Sequence, residues 1–327
     1  MADLVHNKRV ALLRRISLEE HWYPNKDEAD EYEWWNPGDY FSSGLWDTDQ
    51  LTSAPPMCFT ITVNPWRKSR PRSSLQICSI KIASIKGGLR WPLEVFGMVT
   101  VRDVLDRRRN IVYARARSNC QTITEKDPYL TLTGPTRAIV TCMDAGSIEV
   151  VLKAKGATES EDRDLSSLIV LLKNSMYCSY DKDYTSKRST LLLNFRHIMH
   201  AAQATISVRH VGGSSLPSGA FQGAFTASTA SIEDAEVLLL AFKDGKLPIA
   251  DDGTINLSRR VVSVKYSDKE RLKVSIVAEC TKDEQDATRD DVEFVPDCAS
   301  TSYGELNVGA WKMQVTVAWS LFGDSSY

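Results

Sequence analysis

Two stretches, Ser79-Ile-Lys-Ile-Ala-Ser-Ile85 and Glu94-Val-Phe-Gly-Met-Val-Thr-Val-Arg102, decide the fold of this chain. In both, apolar and polar residues alternate with a period of two, the signature of a strand with one buried face. Gly97 interrupts the second alternation and marks a bulge or a crowded spot. The same period continues outward from them in runs at 111–117, 129–133, 147–155, 167–172, 190–197, 201–211, 219–228, 236–242, 261–266, 272–279 and 310–319. Turn signals separate the runs: Gly87-Gly88, Gly134-Pro135, Gly212-Gly213, Asp244-Gly245 and Asp252-Gly253. Asp181–Lys187 reads as a polar interval, and Asp244-Gly245 as the turn of a hairpin joining 237–242 to Leu247-Pro-Ile249. No long helical pattern lies between the strands, which argues against a parallel βαβ sheet. The expected fold is all-β: a mostly antiparallel sandwich over residues 75–322, either a single large sandwich or two smaller sheets packed in sequence, with a tail at 323–327. On the last strand Trp311, Val315, Val317 and Trp319 share one parity and are expected in the core.

Residues 1–74 differ from this pattern. Val5, Leu12, Leu13 and Ile16 fit one face of a short helix between Val5 and Glu20. The acidic run Asp27-Glu-Ala-Asp-Glu-Tyr-Glu-Trp-Trp-Asn-Pro-Gly-Asp-Tyr-Phe41 follows, with Trp34, Trp35, Tyr40 and Phe41 set among its charges. Acidic runs are ordinarily solvated, but four aromatic rings need a surface to cover. The segment reads as an arm that packs on the main domain or on a protein partner.

The 327 residues carry 43% hydrophobic and 25% charged side chains, enough for a sizeable core, which excludes a disordered or collagen-like chain. Forty Lys and Arg against 42 Asp and Glu leave no global attraction for nucleic acid or anionic lipid, so such binding needs a local patch. Seven cysteines, an odd number with no CxxC pair, do not read as a disulfide scaffold. No apolar leader opens the sequence and no run of 18 apolar residues occurs. A cytoplasmic location, with no membrane partner, is the expectation.

Chemistry-bearing patterns are few. His197 and His200 form a His-x-x-His pair, but in a strand residues three apart face opposite ways, so no metal site is expected. No GxSxG, Walker loop or GxGxxG occurs, and no cofactor is expected. Cys120 lies beside basic strands that could favour a thiolate, although a buried, inert thiol is the default reading. Asp103 and Asp106 are paired carboxylates without a motif to separate acid from base.

The basic residues are the sharper signal. Arg107, Arg108 and Arg109 fall in a turn, and Arg115 and Arg117 follow at alternate positions of the next strand, suited to gripping carboxylates or phosphates. Arg67, Lys68, Arg70 and Arg72 make a second basic loop beside Trp66. Pairing with the acidic arm or with Glu159–Asp164 is the favoured reading; RNA held by phosphate contact and stacking is the alternative.

The string from Val101 to Gln121, followed by Asp127-Pro-Tyr-Leu-Thr-Leu-Thr-Gly-Pro-Thr-Arg-Ala-Ile-Val140, Ile148-Glu-Val-Val-Leu-Lys-Ala-Lys-Gly-Ala-Thr158, Ser258-Arg-Arg-Val-Val-Ser-Val264 and Trp311-Lys-Met-Gln-Val-Thr-Val-Ala-Trp-Ser320, resembles a plant family of a domain of unknown function. That family is expanded in grasses, and some members stand beside ribosome-inactivating rRNA N-glycosidase domains. The resemblance covers roughly 75–322 and implies a β-rich module with no catalytic residues to carry over. An N-glycosidase would need a Glu and an Arg one helical turn apart; the nearest run, Ser231 to Leu240, has no Arg at that spacing from Glu233 or Glu236. The expected function is therefore a non-enzymatic protein-interaction module, defence-related, with self-association through sheet edges as a further option.

Overall fold

The structure is a computed structural model that describes residues 50–52, 54–56, 69–105, 108–141, 146–172, 180–213, 221–230, 236–243, 245–280 and 288–323. The expected helix at 5–20 and the aromatic arm fall outside these residues.

Seventeen strands are described: β1 (Arg72–Ile85), β2 (Leu93–Arg102), β3 (Asn110–Arg115), β4 (Gln121–Ile123), β5 (Ile139–Val140), β6 (Ser147–Ala154), β7 (Arg163–Leu171), β8 (Tyr180–Ser186), β9 (Ser189–Gly212), β10 (Phe221–Thr229), β11 (Val237–Phe242), β12 (Thr254–Ile255), β13 (Val261–Lys265), β14 (Leu272–Cys280), β15 (Thr288–Phe294), β16 (Thr301–Val308) and β17 (Trp311–Ser320). Every ladder between them is antiparallel. Helix is confined, among the described residues, to two 3-10 turns at Arg117–Asn119 and Glu159–Glu161. The all-β, antiparallel architecture is as the alternation predicts.

β9 organises the whole. Its first half pairs with β1 and β8, and its second half with β13, β12 and β17, so one sheet runs through two hydrophobic cores. In the first core Leu191, Leu193 and Phe195 stand opposite Ile82, Ile80 and Ile77 of β1. These side chains meet Val95, Val99 and Val101 of β2 and Ile148, Val150 and Leu152 of β6 from the facing sheet β3-β2-β6-β7. In the second core Ala204, Ile206 and Val208 stand opposite Trp319, Val317 and Val315, all buried as parity predicts, against Phe225, Val274 and Ile276 of the sheet β11-β10-β14-β15.

The core positions of β9 are odd-numbered in the first half and even-numbered in the second. A bulge makes the switch: Arg72 and Ser74 of β1 oppose Ala201 and Ile198, three residues of β9 against two. His200 within it has a left-handed backbone, φ 53. One added residue exchanges the parity, so a strand with a period of two keeps the same side apolar along both cores.

The sheet edges meet each other. Leu165 O accepts from Arg188 N at 3.0 Å, joining β7 to the β8–β9 turn. The segment 128–134 is not a strand but stitches β1 to β3 through Leu130 N to Ile80 O and Thr133 N to Val112 O, both 2.9 Å. In the second unit Asn307 N donates to Asp290 Oδ2 across β16 and β15 at 2.5 Å, and Arg259 N to Leu239 O at 2.9 Å.

Three expectations need correction. Tyr180–Ser186, expected as a polar interval, is strand β8, and β15 and β16 are strands that no alternation marks. Each is an edge strand with few core-facing side chains, so its sequence is mostly polar. At Asp244-Gly245, of which Asp244 lies outside the described residues, Lys246 N donates to Lys243 O at 3.0 Å as in a turn, but β11 pairs with β10 rather than with 247–249; a second turn at Asp252-Gly253 has Ala250 N donating to Thr254 O at 2.8 Å.

Candidate functional site

The arginines of the basic constellation are held by the ends of β3. Arg109 precedes the strand, Arg115 ends it, and Arg117 opens the 3-10 turn beyond it. Arg115 and Arg117 therefore do not share one strand face, as alternation implied; the strand stops first. The six residues of β3 set the two groups about 20 Å apart.

At the near end a carboxylate that sequence reasoning did not single out collects the charges. Thr100 of β2 lies opposite Glu149 of β6, and its hydroxyl donates to Glu149 Oε2 at 3.3 Å. Arg102 Nε reaches Glu149 Oε1 at 2.5 Å and Arg109 Nε reaches Oε2 at 2.9 Å. Burial alone would raise the Glu149 carboxyl, but the charges and hydrogen bonds of Arg102 and Arg109 outweigh it and hold it below the ordinary range. Arg108 is half-buried in the same turn; Arg107 lies outside the described residues.

The sign of the pH dependence follows. A carboxyl lowered in the folded state adds stability that is complete above its unfolded value, 4.5, and is lost as pH falls through the lower folded value. Glu149→Gln is expected to cost about 2 kcal/mol at neutral pH, from the lost charge-assisted bonds. The gap to the wild-type protein should narrow below about pH 4.5 in urea melts; a gap that is constant with pH would contradict the assignment.

At the far end Arg117 Nε donates to Asp162 Oδ2 at 2.8 Å and Nη2 to Gly156 O at 2.9 Å, while Asp162 Oδ1 accepts Gly156 N at 2.8 Å. This is the expected pairing with the Glu159–Asp164 segment. Asp162 would be raised by burial, but its bonds to Arg117 and Gly156 N hold it low. Arg115 is half-buried, and its Nε has no hydrogen-bond partner among the described residues.

The arm meets the domain at the first group. Arg109 N donates to Gln50 O and Thr52 N to Arg109 O, both at 3.0 Å, and Leu51 packs with Met98, Ile111, Ala114 and Val151. Thr52 Oγ1 accepts Arg137 Nε at 3.0 Å. Arg137 also grips Asp103 with two bonds, Nη1 to Oδ2 at 2.6 Å and Nη2 to Oδ1 at 2.8 Å. Asp103, one of the paired carboxylates of the sequence, is thus bound in structure; Asp106 lies outside the described residues, as do Trp34, Trp35, Tyr40, Phe41, Trp66, Arg67 and Lys68. Arg70 forms a backbone pair with Phe322.

His197 and His200 sit on β9 as expected of a strand. His197 Nε2 is 3.2 Å from Thr141 Oγ1, with its pKa lowered by burial, and His200 is exposed at the bulge. Among the described residues no three His, Cys, Asp or Glu side chains gather as a metal site. Glu236 immediately precedes a strand, β11, not a Glu/Arg helix. Among the described residues no helix is long and apolar enough to cross a membrane.

The chain is thus an all-β protein of two cores strung on a shared strand, with arginine–carboxylate clusters fastening the first. Residues 74–317 match the family described as Domain of unknown function (DUF6598), and the chain belongs to that family. No curated protein matches it. Among solved structures it is similar to Extended-Synaptotagmin 2, SMP - C2A - C2B Domains, at 10% identity and TM-score 0.27, covering 78% of this chain and 58% of that one. It is also similar to human GIVD cytosolic phospholipase A2 in complex with methyl gamma-linolenyl fluorophosphonate, at 6% identity and TM-score 0.25, covering 77% and 33%. The chain spans less than two thirds of the length of either.

Proposed function

We propose that this protein is a non-enzymatic protein-interaction module whose aromatic, acidic arm carries the partner contacts. The observation that supports the reading is the anchoring of Gln50–Thr52 on Arg109 and Arg137. It fixes residues 50–52 on the domain, and the aromatic run Trp34, Trp35, Tyr40 and Phe41 lies just before that anchor in the sequence. Aromatic side chains set among acidic residues are strong contact residues, burying large area each. The resemblance to a plant family that accompanies ribosome-inactivating domains supports a defence-related setting, by analogy alone. The alternative, RNA binding by the arginines, is weakened by the carboxylates interleaved with them: Arg102 and Arg109 are committed to Glu149 and Arg117 to Asp162.

The test is affinity capture from plant extract with the full chain, with and without RNase, beside a full-length variant carrying Trp34→Ala, Trp35→Ala, Tyr40→Ala and Phe41→Ala. A protein captured by the wild type despite RNase should be lost by the variant, with binding weakened about a hundredfold or more. Equal capture by both proteins overturns the arm as the site. Capture of RNA, lost at raised salt and in Arg115→Glu/Arg117→Glu, would establish the alternative.

A further inference from the structure

Strand β2 is buried on both of its faces. Val95, Val99 and Val101 point into the first core. The alternate residues Phe96, Met98, Thr100 and Arg102 point the other way, yet they are only 8%, 3%, 0% and 1% exposed. Glu94 is the exposed residue of the strand, bonded to Lys155 and to the half-exposed Cys120. An antiparallel sheet with one face on a core ordinarily gives the other to water, so a strand buried twice needs a second covering layer.

The neighbours of β2 extend this outer face. Ala114 of β3 and Val151 of β6 stand opposite Met98, and Ile169 of β7, 38% exposed, stands opposite Glu149. Phe96 stands opposite Lys153 and joins none of the hydrophobic clusters formed by the described residues. The cover begins at Leu51, which packs on Met98, Ala114 and Val151 where Gln50 and Thr52 bond the Arg109 backbone.

We propose that this outer face is the intramolecular seat of the chain's own acidic, aromatic segment, residues 27–49, and that the seat holds the segment back from its partners. Continuity, reach and chemistry point to that occupant. The segment is the chain immediately ahead of Leu51, so the contact already made on the face is also the segment's end. Phe41 and Trp34 precede Gln50 by nine and sixteen residues, an extended reach of about 30 and 53 Å. The face from Glu149 to Lys153 needs about 13 Å of it. Trp34, Trp35, Tyr40 and Phe41 supply apolar cover for Phe96 and Ile169, and Asp27, Glu28, Asp30, Glu31 and Glu33 match a rim carrying Lys153 and Lys155, 28% and 26% exposed. The holding-back rests on the partner role proposed above; the seat itself does not.

The experiment treats the full chain with a carbodiimide, which joins amines to carboxylates in contact, and maps the products by peptide mass spectrometry. Lys153 or Lys155 should be joined to a carboxylate between Asp27 and Asp49 in the monomer, at a yield unchanged by dilution. The pairs Lys155–Glu94 and Lys153–Asp164, at 3.4 and 4.0 Å, give reference products. Reference products without any to 27–49 overturn the seat, and products confined to dimers overturn it in favour of a second copy. Hydroxyl-radical labelling of Phe96 should rise about threefold or more in Trp34→Ala/Trp35→Ala/Tyr40→Ala/Phe41→Ala; an unchanged rate overturns the seat as well. Ile169→Asp spoils the exposed part of the seat and leaves the segment intact, so it should strengthen capture of the partner about threefold or more. Capture unchanged in that variant overturns the holding-back. Cross-links without capture in either protein leave the seat and overturn the partner reading; capture without cross-links does the reverse. If Ile169→Asp fails to fold, the cross-links of the wild-type chain decide alone.

Discussion

Arg137→Leu is expected to lower the stability of this protein by about 3–5 kcal/mol, because it strands a buried carboxylate. Asp103 and Arg137 are 1% and 2% exposed. Asp103 accepts both Arg137 bonds and, in addition, Leu105 N at 3.0 Å and Val140 N at 2.8 Å. Arg137 in turn donates to Ala138 O and Thr52 Oγ1. Removing the guanidinium leaves a charge in a water-excluded site, and the cost is the desolvation of that charge rather than the modest net value of the pair. The double variant Asp103→Asn/Arg137→Leu keeps an acceptor for Val140 N but no charge, and should recover part of the loss. Denaturant titration of the three proteins reads the difference; a double variant no better than Arg137→Leu would show that the charge is not the cause.

Gly97→Ala is expected to be comparably severe, at about 2–6 kcal/mol from backbone strain and overpacking together. Gly97 lies between β3 and β6 on the central strand of its sheet, with φ +119, and a Cβ there would meet Val151 O at 2.1 Å and Leu152 Cα at 3.1 Å. Both obstacles are backbone, so no rotamer change relieves them. Gly309→Ala separates the two terms: its φ is +57 but nothing lies within 4 Å of the added Cβ. It should cost only the left-handed preference, about 1–2 kcal/mol. Similar melting shifts in both variants would dismiss crowding at Gly97.

The central strands are legible in the sequence because apolar residues alternate or run together along them between turn signals: the runs at 94–102, 147–155 and 310–319 lie within a residue of β2, β6 and β17. Gly97 was visible as an interruption of that alternation. The strands missed are those whose residues mostly face solvent. Thr288–Phe294 buries little beyond Phe294, so its composition carries no hydrophobic period. The unity of β9 was hidden by its bulge, since the parity change between Phe195 and Ala204 reads as the end of one strand and the start of another. At the candidate site, the arginine residues stood out by type, but Glu149 did not, because one acid in Ser147–Ala154 looks like any solvated strand position. Its role depends on β2 and β6 being neighbours, a long-range pairing that no local pattern encodes.

The shared β9 has a consequence for how such a protein can be inherited. Strand exchange between relatives works when a segment carries its own closed core, and each of the two main cores does. The first is complete by Phe195 and the second begins at Ala204, so a cut between them leaves every side chain of either core on its own side. What such a cut breaks is the smaller cluster between them, where Cys78, Ala138 and Val140 meet Val261 and Phe322. The bulge of β9 is therefore the seam along which the double sandwich can be divided.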